Sequence, residues 1–459
     1  MGLLDRIGSA VSNAVSTAEN AVSKVVDEVA PAPAPAAPVA PAATDALDAP
    51  GKGPKPSLLP PDLQKAVAAV PKDSTISAAD QVKLKDRLAK MDPATRAKET
   101  DFLENNVLNQ KNPDRGLATY LQLKTMQDAR PDRLSNDYVH ELTQGVATAR
   151  SNGNAGQEGV LGKQGALDSA TALTTMPQAD YDALTKSMGF GGPRDNVCEA
   201  SGADVHTERE LTLKAVGARK DDLAKPGFFD KCLNAVGLPS SKMQEVLQYE
   251  QKIAGTPRAD LIKKSTLIDL DGGTGALQQR FSDSCGPTSM EIGKAEADPI
   301  YALKMHDDTV HSTSTTGPIA DEQKGILNGN GGNAVPRTST GGIGMWPEAG
   351  NTLDNMVGQM TGKKYAKTTL ADTPAARKGA LDRAATQLKN GVDVPIVVAW
   401  NGGGSHVQML TDVRGTGKDQ QFLLTDPWNG QTMWMKRADI EKGNTNFGAG
   451  TGRLWVTYE

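Results

Sequence analysis

Three side chains toward the C-terminal end have the types and the chain order that nucleophilic acyl transfer requires. Cys285 sits in Gln279-Arg280-Phe281-Ser282-Asp283-Ser284-Cys285-Gly286-Pro287-Thr288-Ser289, just ahead of a segment (288–295) able to form helix. A thiol at a helix N-terminus has its thiolate stabilised by the dipole and by free N–H groups. His406 follows the glycine run Asn401-Gly402-Gly403-Gly404-Ser405 and opens the apolar stretch Val407-Gln408-Met409-Leu410. Asp426 closes Leu423-Leu424-Thr425 and enters the turn Pro427-Trp428-Asn429-Gly430. In such a set His406 holds the thiolate as an ion pair and protonates a leaving amine, while Asp426 orients the imidazole. Gln279, six residues before Cys285, offers a side-chain amide to an oxyanion beside the Cys285 N–H.

Other groupings carry less chemistry. His306-Asp307-Asp308 with His311 does not place its two histidines on one helix face, so no metal site is expected. Asp269-Leu270-Asp271-Gly272-Gly273-Thr274 starts like a calcium loop, but Gly273 takes a ligand position and Arg280 the bidentate one. No cofactor-binding motif stands out, and the expectation is none. The Gly272-Gly273 pair reads as an ordinary entrance turn. Cys198 and Cys232 read as free thiols, since three cysteines make no disulfide framework.

These side chains need a scaffold, and the pattern after residue 262 supplies one. Segments 267–270, 394–400, 407–413, 421–424, 432–435 and 454–458 are short apolar or alternating runs bounded by Gly, Asn and Asp, which predicts strands. Helix followed by sheet in one unit predicts an α+β domain over 263–459. All five tryptophans (Trp346, Trp400, Trp428, Trp434, Trp455) fall there, so dense packing is expected. Residues 312–342, rich in Ser, Thr, Gly and Asn, predict a mobile loop over the cleft.

Ahead of this unit, 58–262 reads as helical and of unreadable role. Ser77 is the expected cap of a helix running to Met91, and Asp92-Pro93 has N-cap then N1 chemistry for the next. Further helices are expected near 117–129, 135–151, 166–175 and 178–188, with a loop over 152–165 and a second block over 196–262 broken at Lys225-Pro226-Gly227. Residues 30–57 alternate Pro and Ala and predict a semi-rigid, disordered linker. Residues 1–29 place Leu4, Ile7, Val11, Val15, Ala18, Val22, Val26 and Val29 at three- and four-residue steps, an amphipathic helix with a weak Val/Ala face. That face suits docking on delivery machinery or a chaperone better than stable membrane insertion.

A net charge of −5 over 50 basic and 55 acidic residues, with no basic run, argues against a nucleic-acid partner. No apolar run reaches membrane-spanning length and no signal peptide opens the chain, so synthesis in the cytoplasm is expected.

Together Gln279, Cys285-Gly286-Pro287-Thr288-Ser289, Pro395-Ile396-Val397-Val398, Ser405-His406-Val407 and Asp426-Pro427 with Gly430 resemble papain-like cysteine peptidases. The branch they are most similar to is the double-glycine, bacteriocin-leader-processing one. The resemblance spans about 267–459. It implies a papain-like fold, a protein or peptide substrate, Cys285 as nucleophile, His406 as base, Asp426 as orienter and Gln279 as oxyanion donor. Papain itself uses Asn as third member and continues differently after its nucleophile. No transporter segments accompany the domain, so a leader-exporting machine is not expected. The architecture fits a bacterial effector or toxin exported or injected without a signal peptide. A transamidase or deamidase would use the same three residues, and a non-enzymatic adaptor would leave Cys285 inert.

Overall fold

The computed structural model describes residues 59–70, 76–149, 160–190, 204–268, 275–306, 312–329, 334, 365–448 and 450–458. The expected N-terminal helix over 1–29, the linker over 30–57, Cys198, the Gly272-Gly273 pair and His311 lie outside them.

Helices of the front half begin where local chemistry closes their first turns. Ser77 Oγ accepts the Asp80 N–H at 3.0 Å at the head of Ala78–Ala89. Asp92 Oδ1 accepts the Ala94 and Thr95 N–H groups, each at 3.0 Å, with Pro93 at the first position of Pro93–Leu103. Each such cap satisfies donors that a helix cannot pair internally. The following helices Pro113–Ala129, Asn136–Ala147, Lys163–Thr175, Gln178–Met188, Val205–Ala218 and Ser241–Ile253 share one core with them, in which Leu63, Leu84, Leu103, Leu117, Leu142, Leu173 and Leu213 are wholly buried.

The back half is an α+β unit. Strands β1 (Lys367–Thr369), β2 (Val394–Trp400), β3 (Ser405–Arg414), β4 (Gln421–Asp426), β5 (Gln431–Lys436), β6 (Thr445–Asn446) and β7 (Thr451–Tyr458) form one antiparallel sheet. Its order is β1-β7-β2-β3-β4-β5, with β6 added to β7. The period of two sorts the strand residues between two cores. Val397, Val407, Met409 and Val456 pack with Met290 and Ile292 of helix Cys285–Ala297. Ile396, Val398, Leu410 and Leu454 pack with Leu381, Ala384 and Leu388 of helix Pro374–Lys389. The sheet is therefore covered by a helix on each face.

Several expectations are corrected. The described part of the expected mobile loop over 312–342 contains helix Pro318–Gly329, whose Ile319, Ala320, Gln323 and Leu327 are buried. Leu267 and Ile268 form no strand; they are buried, and Leu267 O accepts the Leu277 N–H at 2.8 Å. The expected loop over 152–165 yields to helix from Lys163. Helices Pro374–Lys389 and Arg437–Lys442, with strands β1 and β6, are additions the pattern did not announce.

The two halves touch through backbone and charge. Gln164 N–H donates to Asn390 O at 2.8 Å, and Arg115 Nη1 donates to Lys389 O at 3.0 Å, at the C-terminal end of helix Pro374–Lys389. Arg219 pairs with Asp298 at 3.0 Å. A cavity of about 120 Å³ lies at this junction, lined by Arg115, Asp168, Lys214, Asp393 and Thr411 among others, away from Cys285 and His406. No helix among the described residues is long and apolar enough to cross a membrane.

Candidate active site

Cys285 is the first residue of helix Cys285–Ala297. Pro287 lies in the first turn, where a missing N–H costs nothing, and Thr288 N–H opens the helix by donating to Ser284 O at 2.8 Å. The thiol is half-buried and packs against the core shared by the helix and sheet.

His406 enters from the sheet. It is the second residue of β3, just after the β2–β3 hairpin, and pairs with Val398. Its ring is buried, and Nε2–H donates to Asp426 Oδ1 at 2.7 Å. The other ring nitrogen is left for Cys285, which lies near enough to raise the proton affinity of the imidazole. Trp400, at the end of β2, stacks on the imidazole with ring centroids 5.7 Å apart and planes 26° apart. Burial pulls the His406 imidazole down, but the hydrogen bond to Asp426 and the nearness and charge of Cys285 and Asp426 outweigh it, raising it from 6.5 to about 9.

Asp426 ends β4 and is wholly buried. Its Oδ1 also accepts the Trp428 N–H at 2.9 Å, which fixes the carboxylate against its own turn. Gly448, with φ of +90°, leaves room for the second oxygen: a Cβ there would stand 2.9 Å from Asp426 Oδ2.

The loop before Cys285 is tied to the turn after Asp426. Ala276 N–H donates to Gly430 O at 3.1 Å, Gln278 Nε2 to Asn429 O at 2.9 Å and Gln279 N–H to Pro427 O at 2.8 Å. This ladder, together with the helix-on-sheet packing, brings residues far apart in sequence into one constellation. The Gln279 amide takes a different place from an oxyanion donor's: its Nε2 donates to Phe281 O at 2.8 Å and Ser282 O at 3.0 Å, and so braces the turn before the thiol.

No protein-family model, curated protein or solved structure matches this chain. Its chemistry is therefore read from the geometry alone. A thiol on an imidazole whose far nitrogen is held by a buried carboxylate can exist as thiolate and imidazolium, with the imidazolium ready to give its proton to a leaving group. No cluster of His, Cys, Asp and Glu suited to a metal occurs among the described residues. His306 is engaged elsewhere, hydrogen-bonded through Nε2 to Thr266 O at 2.7 Å.

Two neighbours of the site were not visible as such in the sequence: Trp400 and Gly448. Trp400 immediately precedes the glycine run that leads to His406, which is the one cue that could have found it. Gly448 had no cue, because its nearness to Asp426 arises only in the fold.

Proposed function

We propose that this protein is a papain-like thiol hydrolase, and most specifically a cysteine peptidase acting on a protein or peptide. The observation that carries the reading is a buried His406 held by Asp426 at 2.7 Å on one ring nitrogen, with Cys285 close enough to act on its proton affinity. The Cys285 thiolate attacks a substrate carbonyl carbon, and the Cys285 N–H at the head of the helix receives the developing oxyanion. The His406 imidazolium passes its proton to the leaving amine and, now neutral, draws a proton from the water that hydrolyses the thioester. Asp426 holds the ring's far nitrogen throughout. A nucleophile at a helix head facing a base on an antiparallel sheet favours the papain-like assignment over an inert domain. The segments 1–29 and 30–57 are assigned delivery of the protein, as in an exported bacterial effector.

The test treats the protein with an epoxide inhibitor of thiol peptidases and with casein, using Cys285→Ala as the control. Selective labelling of Cys285 and casein cleavage lost in Cys285→Ala are the expected results. Cys285 labelled no faster than Cys232 would reject the thiolate reading. Labelling without peptide hydrolysis, but with amine incorporation or ammonia release at glutamine, would move the reading to transamidation or deamidation. Mass spectrometry of a cell lysate treated with active protein and with Cys285→Ala then reads out the substrate.

A further inference from the structure

Helix Pro318–Gly329 sends one polar side chain into the ground beneath Cys285. Gln323 is fully buried, and all its hydrogen-bonding groups are used. Its Oε1 accepts the Arg280 N–H at 2.8 Å and the Ser284 hydroxyl at 2.8 Å. Its Nε2 donates to Glu291 Oε2 at 2.8 Å. Arg280 and Ser284 bound the turn that precedes Cys285, and Glu291 lies on the helix that Cys285 begins. Ser284 Oγ also accepts the Phe281 N–H at 3.1 Å, and its single proton has two acceptors in reach, Gln323 Oε1 at 2.8 Å and Phe281 O at 3.1 Å. Burial raises the Glu291 carboxyl well above its ordinary value, which favours a neutral partner for the amide. Gln279 grips the same turn through Phe281 O and Ser282 O.

We propose that Gln323 is a positioning residue for Cys285, fixing the 280–284 turn so that the thiol meets His406 and the Cys285 N–H faces a substrate carbonyl oxygen. The inference rests on the reading of Cys285 as nucleophile. The amide supplies an acceptor to the turn and a donor to the helix from one side chain, which an apolar side chain of similar size does not. An apolar replacement leaves the Arg280 N–H buried without this acceptor and gives the Ser284 hydroxyl only Phe281 O. The turn then moves to find another.

The test measures alkylation of each thiol by iodoacetamide, read by peptide mass spectrometry, together with the melting temperature. Wild type is compared with Gln323→Met, with Ser284→Ala, and with Ile319→Ala, which opens a cavity on the same helix, in the core that Cys285 packs against, and removes no side-chain hydrogen bond. In Gln323→Met and Ser284→Ala the Cys285 rate is expected to fall at least about tenfold while the Cys232 rate holds, because small displacements of a reacting group are costly. Ile319→Ala is expected to melt lower yet keep the Cys285 rate within about twofold, since its effect is a packing one. Gln323→Met and Ser284→Ala reacting at the wild-type rate would overturn the proposal. So would Ile319→Ala reacting as slowly as they do, which would mean general loosening. If Gln323→Met does not fold, Ser284→Ala decides alone. A wild-type Cys285 no faster than Cys232 instead overturns the nucleophile reading, so the two failures are distinct.

Discussion

His406 sets the pH behaviour of the site. Its folded value of about 9 lies above the usual 6.5, held there by Asp426 and Cys285 against burial. A raised value means that its stabilising contribution is fully present below about 6.5 and is lost as pH rises through about 9. In the proposed reaction, turnover is expected to follow the same sense on its alkaline side, because above about 9 His406 would no longer carry the proton for the leaving amine. Hydrolysis and melting measured from pH 6 to 10 are expected to fall together near the upper end, with that part of the melting curve's pH dependence absent in His406→Ala. A rate that keeps climbing to pH 10, as for an unpaired thiol, would contradict the pairing. Asp426→Asn is expected to lose roughly tenfold in rate, about 1.4 kcal/mol, with the alkaline fall moved to lower pH. An amide can still orient the ring, but it withdraws a negative charge. A folded but wholly inactive Asp426→Asn protein would assign the carboxylate to its turn contact with Trp428 instead. The types and order of Cys285, His406 and Asp426 were legible in the sequence because acyl transfer demands them. The Gln279 amide was not, because spacing alone does not say which way a side chain turns, and here it turns to Phe281 O and Ser282 O.

The turn between β4 and β5 links the two sides of the site at the level of elements. Gly430 stands there at φ of +63°, and a Cβ on it would lie 2.4 Å from Ala276 O. Gly430→Ala therefore combines left-handed backbone strain with a collision against the strand-like 276–279 segment. The expected cost is at least about 2 kcal/mol, read as a lower urea midpoint. Activity should fall further than stability, because the same segment leads to Cys285; a Gly430→Ala protein with unchanged midpoint and rate would show that the ladder is dispensable. The strands of this sheet were readable because Val394–Trp400 and its partners are Val- and Leu-rich runs ended by Gly or Asp. The two-residue β6 and three-residue β1 were not, since they exist only through pairing with β7. Helix Pro318–Gly329 was hidden by the Ser, Thr and Gly around it, although Ile319, Ala320, Gln323 and Leu327 have helical spacing. Helix Pro374–Lys389 was hidden by its own buried face, in which Ala380, Ala384 and Ala385 make a weak apolar stripe.

Across the whole molecule the front core begins with the first described residues. Leu59 and Leu63 belong to the front core, and Leu63 is wholly buried within helix Pro61–Ala69. The front core also receives Ile300 and Leu303 from the back half, and Arg219 reaches Asp298 across the same junction. Loss of packing at one end is therefore felt by the unit that holds Cys285. Two truncations separate delivery from stability. Removing residues 1–57 spares every core residue named here, so hydrolysis and melting are expected to match the full chain while export or target-cell entry is lost. Removing residues 1–70 also takes Leu59, Leu63 and Ala66, and burial of Leu63 alone is worth about 2 kcal/mol, so this form is expected to melt lower. Equal export of the full chain and the form lacking 1–57 would reject the delivery assignment. Lower melting of that form would show that the first 57 residues pack on the body, and unchanged melting of the form lacking 1–70 would show that helix Pro61–Ala69 adds nothing to the fold's stability.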